Sequence, residues 1–155
     1  MTPRLDYFAT SPKLLGAMMS LERAVASGGL EHSLIELVKT RASQINGCAF
    51  CIDMHTRDAM KAGESPARLF LLDAWREAPN YTDRERAALA WTEALTLVSR
   101  THAPDEDYDA LKAQFTEEEI VQLTMQIATI NAWNRLAIGF RSVPGVLPQR
   151  AEAAA

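Results

Sequence analysis

The sequence predicts an all-α protein, and three features predict it. Helix-opening signals, either Ser-Pro pairs or capping boxes, recur along the chain, and the blocks they open end at glycine or before proline. Inside the blocks apolar residues return every three or four positions. No run alternates apolar and polar residues long enough to mark a strand. At 155 residues the chain suits one domain, 1–155, with a core that needs no disulfide or metal staple.

The elements follow in order. "TSPKLLGAMMSLERAVASGG" begins with Ser11 as N-cap and Pro12 at the first helical position, and Gly28-Gly29 stops it. "EHSLIELVKTRASQ" carries Leu34, Val38 and Ile45 roughly on one face, and Asn46-Gly47 breaks it. "CAFCIDMHTRDAMKAG" opens just after that break and closes at Gly63. "SPARLFLLDAWREAP" repeats the Ser-Pro opening at Ser65-Pro66 and ends before Pro79. Thr82 and Glu85 form a capping box ahead of "RAALAWTEALTLVSR", and "PDEDYDALKAQF" predicts a shorter helix after Pro104. Thr116 and Glu119 form a second box that opens the long last helix. That helix carries Ile120, Leu123, Ile127, Ile130, Trp133, Leu136 and Phe140 near one face, widened by Met125 and Ala132. Such a stripe fits either a central helix of a monomer or a helix shared with another subunit. The tail, 141–155, with Pro144 and Pro148, is expected to be loose.

Apolar residues make up 48% and charged residues 23%, as in ordinary soluble domains. The net charge of -4, with both signs interspersed, argues against nucleic acid or an anionic membrane as the main partner. No signal-peptide pattern opens the sequence, and nothing approaches the roughly 20 apolar residues of a membrane span. The expected address is therefore the cytoplasm, where a close cysteine pair is more often catalytic or metal-binding than a staple.

Both cysteines of the chain lie in "CAFCIDMH". Cys48, Cys51 and His55 stand at offsets of zero, three and seven, so a helix presents all three on one face. A helix N-terminus favours a thiolate, an imidazole can take the thiol proton, and a second thiol can trap an oxidised sulfur as a disulfide. The helix end favours Cys48 as the reactive sulfur, whereas proximity to His55 favours Cys51, and spacing does not choose between them. Two plainer readings compete: two core cysteines, or a zinc site from Cys48, Cys51 and His55. Zinc would need a fourth ligand, and His32 and His102 lack ligand-like spacing to the group. A thioredoxin arrangement would need a preceding strand, and haem attachment a histidine where Ile52 stands.

The segment "LIELVKTRASQINGCAFCIDMHTRDAMKAG", residues 34–63, resembles the core motif of the AhpD-like alkylhydroperoxidases, within the carboxymuconolactone decarboxylase superfamily. The motif places a glutamate twelve residues before a CxxC and a histidine four after it, which Glu36, Cys48, Cys51 and His55 match. From Leu14 to Gly139 the likeness is looser and rests on helix order. The resemblance implies a helical fold assembled as a homotrimer or homohexamer, and reduction of hydroperoxides by a dithiol that a protein or small dithiol regenerates. It implies Cys51 as the peroxidatic thiol, Cys48 as the resolving thiol, His55 as proton relay and Glu36 as distal proton acceptor. The cysteine pair would carry the electrons, so no metal or flavin cofactor is expected. Nothing in the sequence alone singles out Glu36, which lies off the Leu34/Val38 stripe and could equally be solvated or pair with Lys39 or Thr40. One departure matters: the best-known peroxidase members carry a histidine just before the second cysteine, where this chain has Phe50. A phenyl ring relays no proton, so disulfide exchange or another substrate competes with peroxide reduction. Decarboxylases of the superfamily lack the cysteine pair.

Other positions carry weaker expectations. Asp53 and Asp58 read as solvated; Asn131, Asn134 and Arg135 as pocket lining or helix-packing hydrogen bonds. Trp75, Trp91 and Trp133 read as core or interface residues.

Overall fold

In a computed structural model, residues 2–145 are described, and among them the chain is helical with no strand. Helix α1 spans Tyr7–Thr10, α2 Pro12–Ala26, α3 His32–Asn46, α4 Ala49–Lys61 and α5 Pro66–Leu71. A 3-10 turn, Leu72–Ala74, follows α5. Then come α6 (Asp83–Thr96), α7 (Val98–Thr101), α8 (Asp105–Lys112) and α9 (Glu117–Phe140). Part of the predicted loose tail, 146–155, lies outside the described residues, as does Met1.

The signals in the sequence act where expected. Both capping boxes close reciprocally: Thr82 with Glu85 opens α6, and Thr116 with Glu119 opens α9. Pro12 and Pro66 occupy first turns, and Gly63, at φ +99°, follows the end of α4. Ser11, the expected N-cap of α2, makes no side-chain capping bond.

Three elements differ from the sequence reading. The four-residue α1 was not expected; Asp6 caps it, its carboxylate accepting from the Ala9 amide at 3.0 Å. The helix expected over 65–78 stops at Leu71 and tightens into the 3-10 turn. Residues three apart eclipse in such a turn, which lets Leu72 and Trp75 enter the core together. The block after Thr82 breaks at Leu97, and His102 and Ala103 adopt positive φ before α8.

Helix α3 forms the centre, packing on α4, α6 and α9. One core layer joins Leu34, Ile35 and Val38 to Trp91 on α6, Leu111 on α8 and Leu123 and Ile127 on α9. A second joins Leu37 to Leu69, Leu72, Trp75 and Leu89. Truncating a fully buried leucine such as Leu37 or Leu89 to alanine costs about 2–5 kcal/mol. A third layer, smaller, gathers Ala42, Cys48, Cys51, Ile130 and Ala137, with Phe50 and Trp133 packed against it.

The expected apolar stripe of α9 is only partly the buried face. Ile120, Leu123, Ile127 and Ile130 are buried, whereas Trp133, Leu136 and Phe140 are only half-buried. Polar side chains, Gln126, Thr129, Asn131 and Asn134, fill the rest of the inward face. Met125 lies largely outside.

Candidate active site

The link between α3 and α4 is two residues long. Gly47 takes a left-handed conformation, φ +70°, which an L side chain adopts only with strain. The Gly47 amide donates to the carbonyls of Ser43 and Gln44, and the Cys48 amide donates to Ser43 at 2.9 Å. The chain thereby reverses at once, Cys48 becomes the N-cap of α4, and α4 packs back along α3. The buried residues of α4 are Cys51, His55 and Ala59, so the face expected from the spacing is the inward one.

Two pairs form on that face. In the first, His55 Nδ1 donates to the Glu36 carboxylate at 2.9 Å, with both residues buried. Donation from Nδ1 fixes the neutral ring as the tautomer whose Nε2 accepts. Glu36 therefore pairs with His55 and not with Lys39 or Thr40. Its other oxygen lies 3.9 Å from Nε2 of His32, an exposed side chain one turn back that was given no place in the motif. Lys39 instead meets Glu22 of α2 at 2.6 Å, and Glu22 also accepts from the Trp133 indole at 3.0 Å.

In the second pair, Cys48 and Cys51 are both 1% exposed and unbridged. The Cys51 thiol donates to Cys48, and despite the opposing effect of burial the Cys48 thiol is lowered to about 7; the Cys51 and Phe50 amides and Asn134 also favour its anion. Donation to Cys48, burial and the neighbouring negative charge push Cys51 up. Among the described residues no hydrogen bond joins His55 to either sulfur, so a proton passing between them needs a bridging water or a substrate oxygen.

Asn134 is fully buried, donates to Ser43 Oγ at 3.0 Å and accepts from Asn46 at 2.8 Å. Asn131 accepts from Asn46 at 3.0 Å and donates to Thr96 at 3.1 Å. The two asparagines thus serve helix packing, and Asn134 also reaches the sulfurs. Arg135 folds onto Asn131, and both border a groove with Leu95, Val98 and Ile127. Asp53, expected to be solvated, is tethered: it accepts from Arg57 at 2.8 Å and from the Gly145 amide at 3.1 Å. Asp58 pairs with Lys61 at the surface. Trp75 and Trp91 are core residues.

Tyr7 was missed by the sequence reading. It is buried, its hydroxyl lies 3.3 Å from Ser142 Oγ, and its ring stacks on Phe140. No sequence signal marks it, because α1 is too short for periodicity and its contacts lie 135 residues away. A zinc centre would require Cys48, Cys51 and His55 to converge with further ligands; among the described residues no three His, Cys, Asp or Glu side chains form a metal-holding group. Nor is any helix among them long and apolar enough to cross a membrane.

Comparison with known proteins adds a family and a fold. The model of the carboxymuconolactone decarboxylase family matches residues 12–94. The uncharacterized protein YdfG of Bacillus subtilis is 41% identical over 138 residues, 89% of this chain and 94% of its own. A crystal structure from Agrobacterium tumefaciens, described as of unknown function and provisionally as the antioxidant defence protein AhpD, superposes with a TM-score of 0.91 at 48% identity. It covers 94% of this chain and 100% of its own. The debrominase Bmp8 shares the fold, with a TM-score of 0.78 at 21% identity over 91% of this chain and 76% of its own. The same helical frame therefore carries more than one chemistry.

Proposed function

The chain belongs to the carboxymuconolactone decarboxylase family, and from that premise we propose that it is a thiol-dependent, AhpD-like peroxidase. The observation that carries this reading is the inward face of α4, which brings a dithiol with one acidified sulfur, Cys48, and the imidazole of a His55–Glu36 dyad to one helix, with the carboxylate supplied from α3. A cysteine at an ordinary pKa of about 8.5 is only a few per cent thiolate at neutral pH, whereas one near 7 is about half ionised.

On the strength of the AhpD-like motif, Cys51 is assigned the attack on peroxide and Cys48 the resolving step; because the resting anion sits on Cys48, Cys51 must give up its proton as it attacks. Through a bridging water, the Cys51 proton passes to His55, whose imidazolium Glu36 stabilises. The Cys51 sulfur bonds to one peroxide oxygen, the O–O bond breaks, and the departing alkoxide takes the proton back from His55. Cys51 is then a sulfenic acid. The Cys48 anion attacks that sulfur, the S–O bond breaks, and hydroxide leaves and is protonated to water. One hydroperoxide and one proton are consumed, and one alcohol, one water and one disulfide form. A protein or small dithiol returns the two electrons, which calls for a reducing compartment such as the cytoplasm. The cycle requires neither metal nor flavin, since the sulfurs carry the electrons.

Phe50 favours a second reading, dithiol–disulfide exchange with little peroxide turnover, because the ring packed on the cysteine layer offers no proton. Reaction of the reduced protein with cumene hydroperoxide separates the two. Peroxidase chemistry predicts loss of both thiols per hydroperoxide consumed and a disulfide that dithiothreitol reopens. In Cys48→Ser a sulfenic acid accumulates on Cys51 and is trapped by dimedone, whereas Cys51→Ser traps none. The reverse pattern would exchange the roles of the sulfurs, and untouched hydroperoxide would leave only the exchange reading.

A further inference from the structure

Thr40 of α3 is fully buried, and its Oγ1 has no hydrogen-bond partner among the described residues. Thr92 and Thr129, also buried within helices, each donate to the carbonyl one turn back at 2.7 Å, and Thr40 makes no such bond. A buried hydroxyl is costly to leave unpaired, so this one calls for a partner across the interface. Two bonds fix what it faces. At one end of the α3–α4 interface Glu36 meets His55 at 2.9 Å; at the other the Cys48 amide donates to the Ser43 carbonyl at 2.9 Å. Between these points the helices run antiparallel. Glu36, Thr40 and Ser43 fall within an arc of about 60° on α3, as do Cys48, Cys51 and His55 on α4. Thr40 stands four residues past Glu36 and three before Ser43, while Cys51 stands four before His55 and three past Cys48. Thr40 and Cys51 therefore lie at one height, about 6 Å along the helices from the His55–Glu36 pair.

We infer that the Thr40 hydroxyl holds the water that bridges Cys51 and His55, which makes Thr40 a positioning residue for the proton transfer between them. A buried water makes about three hydrogen bonds. The Cys51 sulfur and the accepting Nε2 of His55 supply two from α4, and the unpartnered hydroxyl supplies the third from the opposite helix. The water takes the Cys51 proton and passes one of its own to Nε2. It ends as water, with Cys51 a thiolate and His55 an imidazolium paired to Glu36. A threonine hydroxyl can donate or accept, so it stays bonded to the water throughout the transfer. Cys48 lies at the Ser43 end of the interface, where Ser43 and Asn134 already satisfy one another, and the Thr40 water does not serve it.

This role deepens the dithiol reading and rests on it for turnover, yet its test needs no peroxide. Iodoacetamide alkylation is followed from pH 5 to 11 in Cys48→Ser and in Cys51→Ser, so that each full-length chain carries one thiol. The titratable groups of the site are that thiol, His55 on α4, Glu36 on α3 and Tyr7 on α1, and α9 contributes the neutral Asn134. Thr40→Val keeps the shape of the side chain and removes only the hydroxyl. Added to Cys48→Ser, it is expected to raise the Cys51 inflection by about one unit and to slow alkylation at pH 7 about tenfold. Added to Cys51→Ser, it should leave the Cys48 profile in place. Thr40→Ser should restore the Cys51 rate. If valine disturbs folding, Thr40→Ala set against Thr40→Ser isolates the hydroxyl in the same way. A Cys51 profile that ignores loss of the hydroxyl, or an equal slowing at both cysteines, overturns the inference. A Cys51 shift in a protein whose wild type leaves cumene hydroperoxide untouched would overturn the peroxidase reading alone.

Discussion

In the proposed cycle four side chains divide the work between charge and proton transfer. Cys48 sits where the first amides of α4 are unpaired, and Cys51 adds its S–H, so the anion settles on the sulfur at the helix end. His55, one turn past Cys51, is held by Glu36 in the tautomer that accepts at Nε2. Glu36→Gln keeps a hydrogen-bonding partner but removes the charge that stabilises the imidazolium. Single-turnover reaction with cumene hydroperoxide should slow about 10–100-fold, with circular dichroism unchanged. An unaltered rate would remove Glu36 from the proton path. The cysteines and His55 were legible from spacing because a single helix positions all three. Glu36 was legible only through resemblance, since its partner lies 19 residues away on another helix. Tyr7 was illegible: its neighbours are at the far end of the chain, and four residues carry no period.

At the scale of elements, local rules held where they act alone and yielded where tertiary packing intervened. The capping boxes at Thr82 and Thr116 and the glycine at 47 set their boundaries from within a few residues. The helix after Pro66 gave way to a 3-10 turn because Leu72 and Trp75 are drawn into a core built by distant Leu37 and Leu89. Glu93 of α6 ties these pieces together: it accepts from Arg41 of α3 at 2.8 Å, from the Trp75 indole at 2.8 Å, and from Arg76. Burial alone would push its carboxyl up; the bonds from Trp75, Arg76 and Arg41 outweigh that and hold it below the ordinary value. A lowered folded-state pKa contributes stability that is present above the unfolded value, about 4.3, and lost as pH falls through the folded value. Glu93→Ala should cost about 3 kcal/mol in urea unfolding at pH 7. Its loss of stability between pH 5 and 3 should also be smaller than the wild type's. Parallel acid profiles would show that Glu93 does not carry this linkage.

For the whole molecule, one chain covers its dithiol but leaves large apolar side chains in solvent: Leu14 on α2 is 70% exposed, Phe70 on α5 83% and Val121 on α9 63%. Such surface suits contact with further copies, and the resemblance to AhpD-like proteins implies that these number three or six. Light scattering at micromolar protein should give a mass that is a multiple of 17.1 kDa, three or six chains. A clean monomer would exclude assembly as part of the active form. The sequence carried the helical class and helix order because these follow from local punctuation. It did not disclose how the N-terminal helix closes over the third core layer, which depends on aromatic contacts between the two ends of the described chain.

The account stands on unequal thiols, and the pH dependence of alkylation of each cysteine in the reduced wild-type protein tests that most directly. Cys48 should titrate near 7 and Cys51 should stay protonated well above it. Two thiols titrating together near the ordinary value of about 8.5 would contradict the proposed site.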